Sequence, residues 1–388
     1  MLQRLLQAVG NPPIEFVLWN GERVACSAAP AAKVRISDRS TLLGMLRDPY
    51  VQFGDAYSAG RVEVEGDLVE FMALMYHSSA HSDARLSTLR RLSRWLHRPH
   101  RNSLAGSRDN IHHHYDIGND FYALWLGETM AYTCAYYAAA DASLEQAQIG
   151  KMDHVCRKLQ LKTGDLVVEA GCGWGSLALH MASRYGARVK AFNISREQLA
   201  FARDRAKQLG LEDRVEFIED DYRNITGRYD VFASVGMLEH VGVENYAELG
   251  RVARRSLTPE GRGLIHSIGR NRPAPLHPWI ERRIFPGAYA PSLGQMMQIF
   301  EPGGLSVLDV ENIRLHYALT LRHWLERYHA AQDRVRKMFD ESFVRMWRLY
   351  LAGSVAAFET GTLQLFQVVF TPKENNHIPM TRQHVYPA

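Results

Sequence analysis

A carboxylate and an imidazole, each placed after or near the end of a predicted strand, form the clearest chemical pair in this sequence. Glu239 follows the strand that ends at Val235-Gly236, and His266 lies near the end of the next strand. Because parallel strands end at the same edge of a sheet, we expect the two side chains to lie close together. An acid beside a histidine is a candidate general acid–base pair. For either residue alone, the alternative is a purely structural, hydrogen-bonded role.

A glycine-rich turn, GCGWG at 171–175, lies between a buried-type strand and a helix. Glycine lets a ligand approach the backbone where a Cβ would collide with it. The spacing differs from the dinucleotide fingerprint G-x-G-x-x-G, and Glu169 precedes the first glycine by two positions. These features favour S-adenosylmethionine, which has no pyrophosphate to bind and whose positive charges tolerate a nearby acid. A tight structural turn is the alternative.

Polar residues also follow the next two predicted strands. One strand ends in FNIS at 192–195, with Gln198 close behind, and the other ends in DDY at 220–222. A carboxylate after the second strand can accept a hydrogen bond from an adenine amino group, and the tyrosine ring can stack on the base. We therefore expect both segments to line the cofactor site, although the two aspartates also fit an ordinary polar loop.

An aromatic segment precedes the glycine turn by about 30 residues. Seven of the 23 residues at 115–137 are aromatic, whereas the whole chain is 10% aromatic. The segment also carries acids and Cys134, a mixture that a packed helix does not need. It predicts a rigid, partly polar wall over the cofactor. The three histidines at 112–114 do not indicate a metal site, because consecutive side chains in a strand or helix point in different directions.

The elements that position these residues alternate between helix and strand from residue 145 onward. Apolar strands are predicted at 165–170, 187–194, 214–220, 229–236 and 263–269, with a late strand at 363–370. Strands separated by amphipathic helices predict an α/β, doubly wound, Rossmann-like parallel sheet. Before it, strands at 14–19 and 61–64 and a helix at 67–76 predict a small α+β domain. We place the domains at 1–100 and 104–388.

Composition is that of an ordinary globular protein, with 46% hydrophobic and 23% charged residues. A net charge of +4 gives no argument for nucleic acid, and four cysteines without paired spacing fit a reducing cytoplasm. Segment 85–101 carries six arginines and no acid, with leucines at helical spacing beside a tryptophan. This pattern fits either a basic helix on an anionic membrane surface or a solvated linker helix.

Several of these segments together resemble the cyclopropane-fatty-acyl-phospholipid synthases, from about residue 104 to 371. The resemblance rests on the aromatic segment, the glycine turn, SVGMLEHVG at 234–242, HSIG at 266–269 and LHYALTL at 315–321. It implies an enzyme that adds a methylene group from S-adenosylmethionine to the cis double bond of a phospholipid acyl chain. The alkene attacks the sulfonium methyl group, and a base, thought to be bound bicarbonate, removes a proton as the ring closes.

The resemblance also assigns roles to residues. The side chains of Glu239, His266 and Tyr317 would hold the bicarbonate, assisted by the backbone N–H groups of Cys134 and Ile268. The residues implied to line the cofactor are Tyr115, Tyr132, Thr133, Glu169, Ala170, Gly171, Cys172, Gly173, Trp174, Gly175, Asn193, Ile194, Ser195, Gln198, Asp221, Tyr222 and Gly236. The implied partner is the surface of a phospholipid bilayer, reached from the cytoplasmic side. A homodimer is expected from the longer members of the family.

One residue departs from the family pattern. Where members carry a second active-site cysteine, the run YLAGSVAAF at 350–358 has Ser354. Serine keeps the size and a hydroxyl group but forms no thiolate near neutral pH. Two products therefore stay open, a cyclopropane ring or a methyl-branched or methylene chain, and a small-molecule methyltransferase is the further alternative.

Overall fold

The computed structural model describes residues 11–25, 27, 29–81 and 117–386. The basic segment 85–101, the histidines at 112–114 and Tyr115 lie outside these ranges, so the expectations that rest on them stay predictions. The chain forms two compact units. One comprises Met1–Pro99, Pro275–Ile284 and Leu321–Thr362, and the other His100–Ala274, Phe285–Thr320 and Leu363–Ala388.

The first unit contains a four-stranded sheet in the order β2-β1-β3-β4. Alternate residues of β1 are buried (Ile14, Phe16, Leu18), as expected for a strand with one face on the core. The turn after β1 contains Gly21, whose φ of +83° favours glycine. The elements are β1 Ile14–Leu18, β2 Arg23–Ala25, β3 Ala32–Ile36, α1 Arg39–Arg47, α2 Pro49–Ser58, β4 Val62–Glu65 and α3 Leu68–His81.

Segments from far along the chain return to this first unit. They are α9 (Pro278–Arg283), α12 (Glu341–Glu359) and the part of α11 (Arg314–Met338) from residue 321 onward. Arg345 of α12 donates to the carbonyl oxygens of Tyr57 (2.6 Å) and Val62 (3.0 Å). The proposed break near residue 100 did not anticipate this return, because periodicity identifies a helix but not the element on which it packs.

The second unit is built on a seven-stranded sheet in the order β10-β11-β9-β8-β5-β6-β7. Neighbouring strands in the run β7-β6-β5-β8-β9 pair in parallel, and β11 pairs antiparallel with both β9 and β10. The predicted Rossmann-like α/β sheet is therefore confirmed. Its strands are β5 Leu166–Ala170, β6 Arg188–Asn193, β7 Val215–Glu219, β8 Tyr229–Val235, β9 Leu257–Gly269, β10 Leu305–Asn312 and β11 Gln364–Pro372.

Helices cover both faces of this sheet and give it two hydrophobic cores. Val167 belongs to one core and Val168 to the other, since neighbouring strand residues point to opposite faces. The helices are α4 Asn119–Ala123, α5 Leu144–Lys158, α6 Ser176–Tyr185, α7 Arg196–Gln208, α8 Tyr246–Ser256 and α10 Leu293–Phe300. Within the described ranges, no helix has the length and apolar character needed to cross a membrane.

Candidate active site

A cavity with about 1070 Å³ of empty space is lined by the segments that follow β5, β6, β7 and β8. This is the carboxyl edge of the sheet, where open α/β sheets bind ligands. Most of the residues expected around the cofactor lie on its wall. They are Tyr132, Thr133, Glu169, Gly171, Cys172, Gly173, Trp174, Asn193, Ile194, Gln198, Asp221, Tyr222 and Gly236.

Three residues expected at the cofactor lie beside the cavity instead. Ala170 is fully buried within β5. Gly175 packs into the core, where an added Cβ would lie 2.7 Å from the ring of Phe217. The buried Ser195 caps α7 by accepting a hydrogen bond from the backbone N–H of Gln198. These residues support the segments that form the cavity wall. Sequence spacing alone does not distinguish such supporting residues from those that line the cavity.

The glycine turn leaves room for a ligand at its centre. Gly173 has a φ of +54°, and a Cβ added to it would meet no atom within 4 Å, so the backbone faces open space. The side-chain amide of Asn193 donates to the Gly173 carbonyl oxygen (3.2 Å) and to Gln198 Oε1 (2.9 Å). The polar residues after β6 therefore help to hold the turn as well as to line the cavity.

The aromatic segment forms part of the wall and part of the core. Tyr132 and Trp174 line the cavity, whereas Tyr122 is fully buried behind them. The ring of Tyr122 lies 5.0 Å from that of Trp174 and 5.5 Å from that of Tyr132. The buried rings fix the two cavity-facing rings in place.

Helices anchor the end of this segment from two directions. From α5, the side-chain amide of Gln148 donates to the carbonyl oxygen of Thr133 (2.9 Å). The first turns of α11 supply Thr320, whose Oγ1 accepts from the backbone N–H of Ala135 (3.0 Å). The cofactor-facing residues are thus held by α5, and the residues that follow are held by the helix that carries Tyr317.

Lys151 is a cavity residue that the sequence analysis did not identify. It lies on α5, is 2% exposed, and donates from Nζ to Thr133 Oγ1 over 3.0 Å. Burial lowers the pKa of Lys151 to about 8. The available signal was its position among the buried residues of the amphipathic helix, where a lysine without a partner is unfavourable.

Glu169 is the second buried charge of the cavity wall. It is 2% exposed, and burial raises its pKa to about 7, against the opposing effect of Lys151. Among the described residues, no group forms a hydrogen bond with its Oε2 atom. An unsatisfied buried carboxylate oxygen is costly, so this atom suits a positively charged ligand group.

The carboxylate of Asp221 is held by a neighbour. Arg223 donates to it from Nε (2.7 Å) and Nη2 (2.9 Å), and the Arg223 backbone N–H adds a third bond (2.9 Å). Asp220 lines the cavity beside it. Asp221 therefore lies on the cavity wall, as expected, but its carboxylate already accepts three hydrogen bonds from Arg223.

Glu239 and His266 come from neighbouring strands, as expected. Val235, the last residue of β8, is the register partner of His266 on β9. The backbone N–H of Ile268 donates to Glu239 Oε1 over 2.6 Å, and within the described part of the chain nothing hydrogen-bonds Oε2. Burial raises the pKa of Glu239 to about 7. The Ile268 N–H group donates to Glu239 here, and its expected role toward bicarbonate stays a prediction.

His266 is a buried, neutral imidazole. It is 2% exposed, and its Nδ1 lies 3.1 Å from Nε2 of Gln367 on the adjacent strand β11. Burial, with smaller contributions from Lys151 and Lys158, holds the pKa of His266 well below its ordinary value. With Nδ1 accepting from Gln367, the proton of the neutral ring lies on Nε2.

The remaining candidates differ in environment. Cys134 is fully buried, burial raises the pKa of its thiol, and its Sγ donates to the Ala135 carbonyl oxygen (3.0 Å). It is therefore a thiol, and the role expected of its backbone N–H stays a prediction. Tyr317 lies near the start of α11 and is 9% exposed. Ser354 lies on α12 in the first unit and is partly buried.

Comparisons with known proteins agree with this arrangement. Residues 102–368 match the family model described as mycolic acid cyclopropane synthetase, and residues 1–85 match a domain of unknown function. The chain is 36% identical over 393 residues to a probable fatty acid methyltransferase of Pseudomonas putida, covering 96% of each chain. It is 41% identical over 270 residues to the cyclopropane-fatty-acyl-phospholipid synthase of Escherichia coli K12, covering 69% of each.

Solved structures point the same way. The cyclopropane synthase MmaA2 from Mycobacterium tuberculosis has a TM-score of 0.64 at 26% identity, over 68% of this chain and 97% of that one. Mycolic acid cyclopropane synthase CmaA1, complexed with SAH and CTAB, has a TM-score of 0.65 at 26% identity, over 68% and 97%. The chain therefore belongs to the mycolic acid cyclopropane synthetase family of S-adenosylmethionine-dependent methyltransferases.

Proposed function

We propose that this enzyme transfers the methyl group of S-adenosylmethionine to the cis double bond of unsaturated phospholipid acyl chains and closes a cyclopropane ring. The observation that carries the proposal is the buried Glu239 carboxyl. Ile268 fixes one of its oxygens, and no group among the described residues forms a hydrogen bond with the other. It lies beside the cavity of a methyltransferase, with His266 on the neighbouring strand.

The cavity wall fits S-adenosylmethionine as the methyl donor. Gly173 lets the backbone approach the ligand, and Glu169 offers a carboxylate oxygen to its positive charge. Tyr132 and Trp174 present aromatic rings, which also stabilise a neighbouring cation. The methyl donor is consumed, so these residues bind and orient a substrate.

Bicarbonate fits as the base of the reaction. When bound, it would take the proton that the added methyl group loses on ring closure. Glu239 Oε2 and His266 Nε2–H are the atoms that would hold it, together with the Tyr317 hydroxyl. Glu239, whose pKa is about 7, is able to take up and release a proton near neutral pH. The backbone N–H groups of Cys134 and Ile268 would assist, and in this structure the Ile268 N–H fixes Glu239.

A methyl transfer that stops before ring closure is the second candidate. Ser354 at the family cysteine position favours it, and the relative from Pseudomonas putida is named as a probable fatty acid methyltransferase. Its product would be a methyl-branched or methylene chain. The two reactions share the methyl donor, the alkene and the carbocation that follows methyl transfer, and they differ in the fate of that cation. Ring closure removes a proton from the added methyl group directly, whereas a methylene group requires a hydride shift before that proton is lost. A saturated methyl branch keeps all three methyl hydrogens and requires a hydride donor such as a reduced nicotinamide.

The bilayer surface is the proposed partner, reached from the cytoplasmic side as a peripheral protein, and a homodimer is the proposed assembly. The support for membrane contact is the basic segment 85–101, whose six arginines suit anionic headgroups. Nucleic acid is not a proposed partner, since the net charge is only +4.

The test is to incubate the purified full chain with labelled methyl donor and vesicles of cis-unsaturated phospholipid. The recovered acyl chains are assigned by NMR and gas-chromatographic retention. We expect cyclopropane chains, with no transfer to vesicles of saturated phospholipid. A methyl or methylene branch would support the second candidate instead. Failure to label any unsaturated lipid would contradict both candidate reactions.

A further inference from the structure

We propose that Lys151 binds the carboxylate of the amino-acid end of S-adenosylmethionine, while Glu169 accepts hydrogen bonds from its ammonium group. This inference rests on the cofactor part of the proposed function. It assigns to Lys151 a binding role that neither the glycine turn nor the motifs of the family indicate. The two side chains form a charged pair in the cavity that is complementary to a zwitterion.

The buried ammonium group of Lys151 favours a site for an anion. Its ammonium group has three N–H donors, and the hydrogen bond found for it goes to a neutral acceptor, Thr133 Oγ1. A charge that is 98% removed from solvent is costly unless an opposite charge lies nearby, and the attraction of Glu169 meets this need only in part, without a hydrogen bond to Lys151. Because Lys151 lines the cavity, a ligand carboxylate can reach it there.

Thr133 strengthens this anion site. Its Oγ1 accepts a hydrogen bond from Lys151 Nζ, so its own O–H points away from that nitrogen and can donate to a ligand. Gln148 holds the Thr133 carbonyl oxygen at 2.9 Å and fixes the backbone of this residue. An ammonium and a hydroxyl on one wall match the two oxygens of a carboxylate.

Glu169 supplies the complementary charge. Its Oε2 is buried and, within the described residues, without a hydrogen-bond partner. Its attraction to Lys151 is Coulombic, without a hydrogen bond between the two side chains. A simple anion would be repelled by Glu169 and a simple cation by Lys151, whereas an α-amino acid group satisfies both.

The protonation behaviour of the two groups agrees with this assignment. Burial lowers the pKa of Lys151 to about 8 and raises that of Glu169 to about 7. Cofactor affinity should therefore fall at low pH as Glu169 gains a proton and at high pH as Lys151 loses one. The thiols that interact electrostatically with the pair, Cys134, Cys156 and Cys172, stay protonated because burial raises their pKa.

The test compares two ligands by calorimetry. S-adenosylmethionine carries the carboxylate, and decarboxylated S-adenosylmethionine lacks it but keeps the ammonium group. We expect the wild-type chain to bind the decarboxylated ligand about 10- to 100-fold more weakly, the range of a hydrogen-bonded charge pair. Lys151→Met should bind S-adenosylmethionine more weakly by a similar factor and no longer distinguish the ligands. Lys151→Arg should keep part of the discrimination.

Lys158→Met is the matched control. Lys158 lies two turns further along α5, is equally buried, and pairs with Glu311 at 2.6 Å. Its replacement should leave the ratio of the two affinities unchanged. Thr133→Val, which leaves Lys151 in place, should reduce the ratio in part and keeps the proposal testable if Lys151→Met does not fold.

Two results would overturn the inference. One is a Lys151→Met variant that still prefers S-adenosylmethionine over the decarboxylated ligand by the wild-type factor. The other is a Lys151→Met variant that loses affinity equally for both ligands, which would mean that Lys151 only supports Thr133. A wild-type chain that binds S-adenosylmethionine but methylates no lipid would contradict the proposed reaction and leave this result intact. A wild-type chain that binds neither ligand would contradict the cofactor assignment and this inference together.

Discussion

Ile268 and Glu239 are joined by a 2.6 Å hydrogen bond from the backbone N–H of β9 to the carboxylate that follows β8. The bond crosses between neighbouring parallel strands at the edge where the cavity lies. It fixes one carboxyl oxygen and leaves the other for a further partner. The chemistry proposed here depends on this fixed carboxyl, because a proton acceptor is effective only when it is held within hydrogen-bonding reach of the proton.

We predict that Glu239→Gln lowers turnover by roughly 10²- to 10⁴-fold, the usual contribution of a positioned acid–base group. Glutamine keeps the size and the bond to Ile268 but cannot take up the proton. Affinity for S-adenosylmethionine, measured by calorimetry, should stay within about twofold of wild type. Comparable loss of cofactor affinity would instead place Glu239 in the cofactor site.

The same substitution should change the pH dependence of stability. Burial raises the pKa of Glu239 from 4.5 to about 7, so the folded state binds the proton more tightly than the unfolded state. The contribution of Glu239 to the stability of the wild-type chain therefore falls as the pH rises from about 4.5 to 7. Glu239→Gln should gain stability relative to wild type over this interval, by up to about 3 kcal/mol above pH 7.

Denaturant unfolding at several pH values measures this difference. Glu260→Gln, at an exposed carboxyl whose side chain is 74% accessible, is the control and should show no comparable pH-dependent gain. A constant offset between wild type and Glu239→Gln from pH 5 to 8 would mean that Glu239 is not protonated preferentially in the folded state.

Much of this arrangement is predictable from the sequence, and the exceptions have a common cause. Glu239, His266 and the glycine turn each follow or end a strand, and parallel pairing alone brings strand ends together. Gln367 reaches His266 only because β11 inserts antiparallel next to β9, about 100 residues later in the chain. Lys151 lies on the buried side of the amphipathic helix α5, but only the packing of α5 shows that this side faces the cavity.

Gln367 should act on the reaction through His266. We predict that Gln367→Leu lowers turnover by about tenfold, because the Nδ1 atom loses its partner and the proton is no longer confined to Nε2. Nitrogen NMR of the labelled imidazole should show a mixture of tautomers. If the length of the glutamine side chain is essential, Gln367→Asn should restore neither the turnover nor the single tautomer.

Gln364→Leu is the matched control for this prediction. Gln364 is buried on the same strand but pairs with Asn312, at 2.8 Å. Its replacement should leave the tautomer of His266 unchanged. An unaltered His266 spectrum in Gln367→Leu would show that the tautomer is set by another contact.

Bicarbonate is expected to be required for turnover. Rigorous removal of carbonate from the buffer should lower the rate, and added bicarbonate should restore it. The reason is that bicarbonate would bind at Glu239 Oε2, with which no described residue forms a hydrogen bond. Chloride at equal ionic strength is the control. An unchanged rate after carbonate removal would assign the base to a protein side chain.

Charge reversal in the basic segment should weaken membrane binding. The triple substitution of Arg90, Arg91 and Arg94 by glutamate replaces three attractive charges with three repulsive ones. Sedimentation with vesicles containing anionic phospholipid should show a loss of binding that neutral vesicles do not show. Equal binding by the variant and wild type would leave 85–101 as a linker.

Ring closure is the central claim, and the fate of the transferred methyl group tests it most directly. The enzyme is supplied with S-adenosylmethionine that carries a fully deuterated methyl group and with cis-unsaturated phospholipid. A base that removes one proton during ring closure predicts a product with two of the three deuterium atoms, in a methylene group whose NMR signal is that of a cyclopropane ring. Retention of all three deuterium atoms, or an alkene signal from the added carbon, would contradict the account.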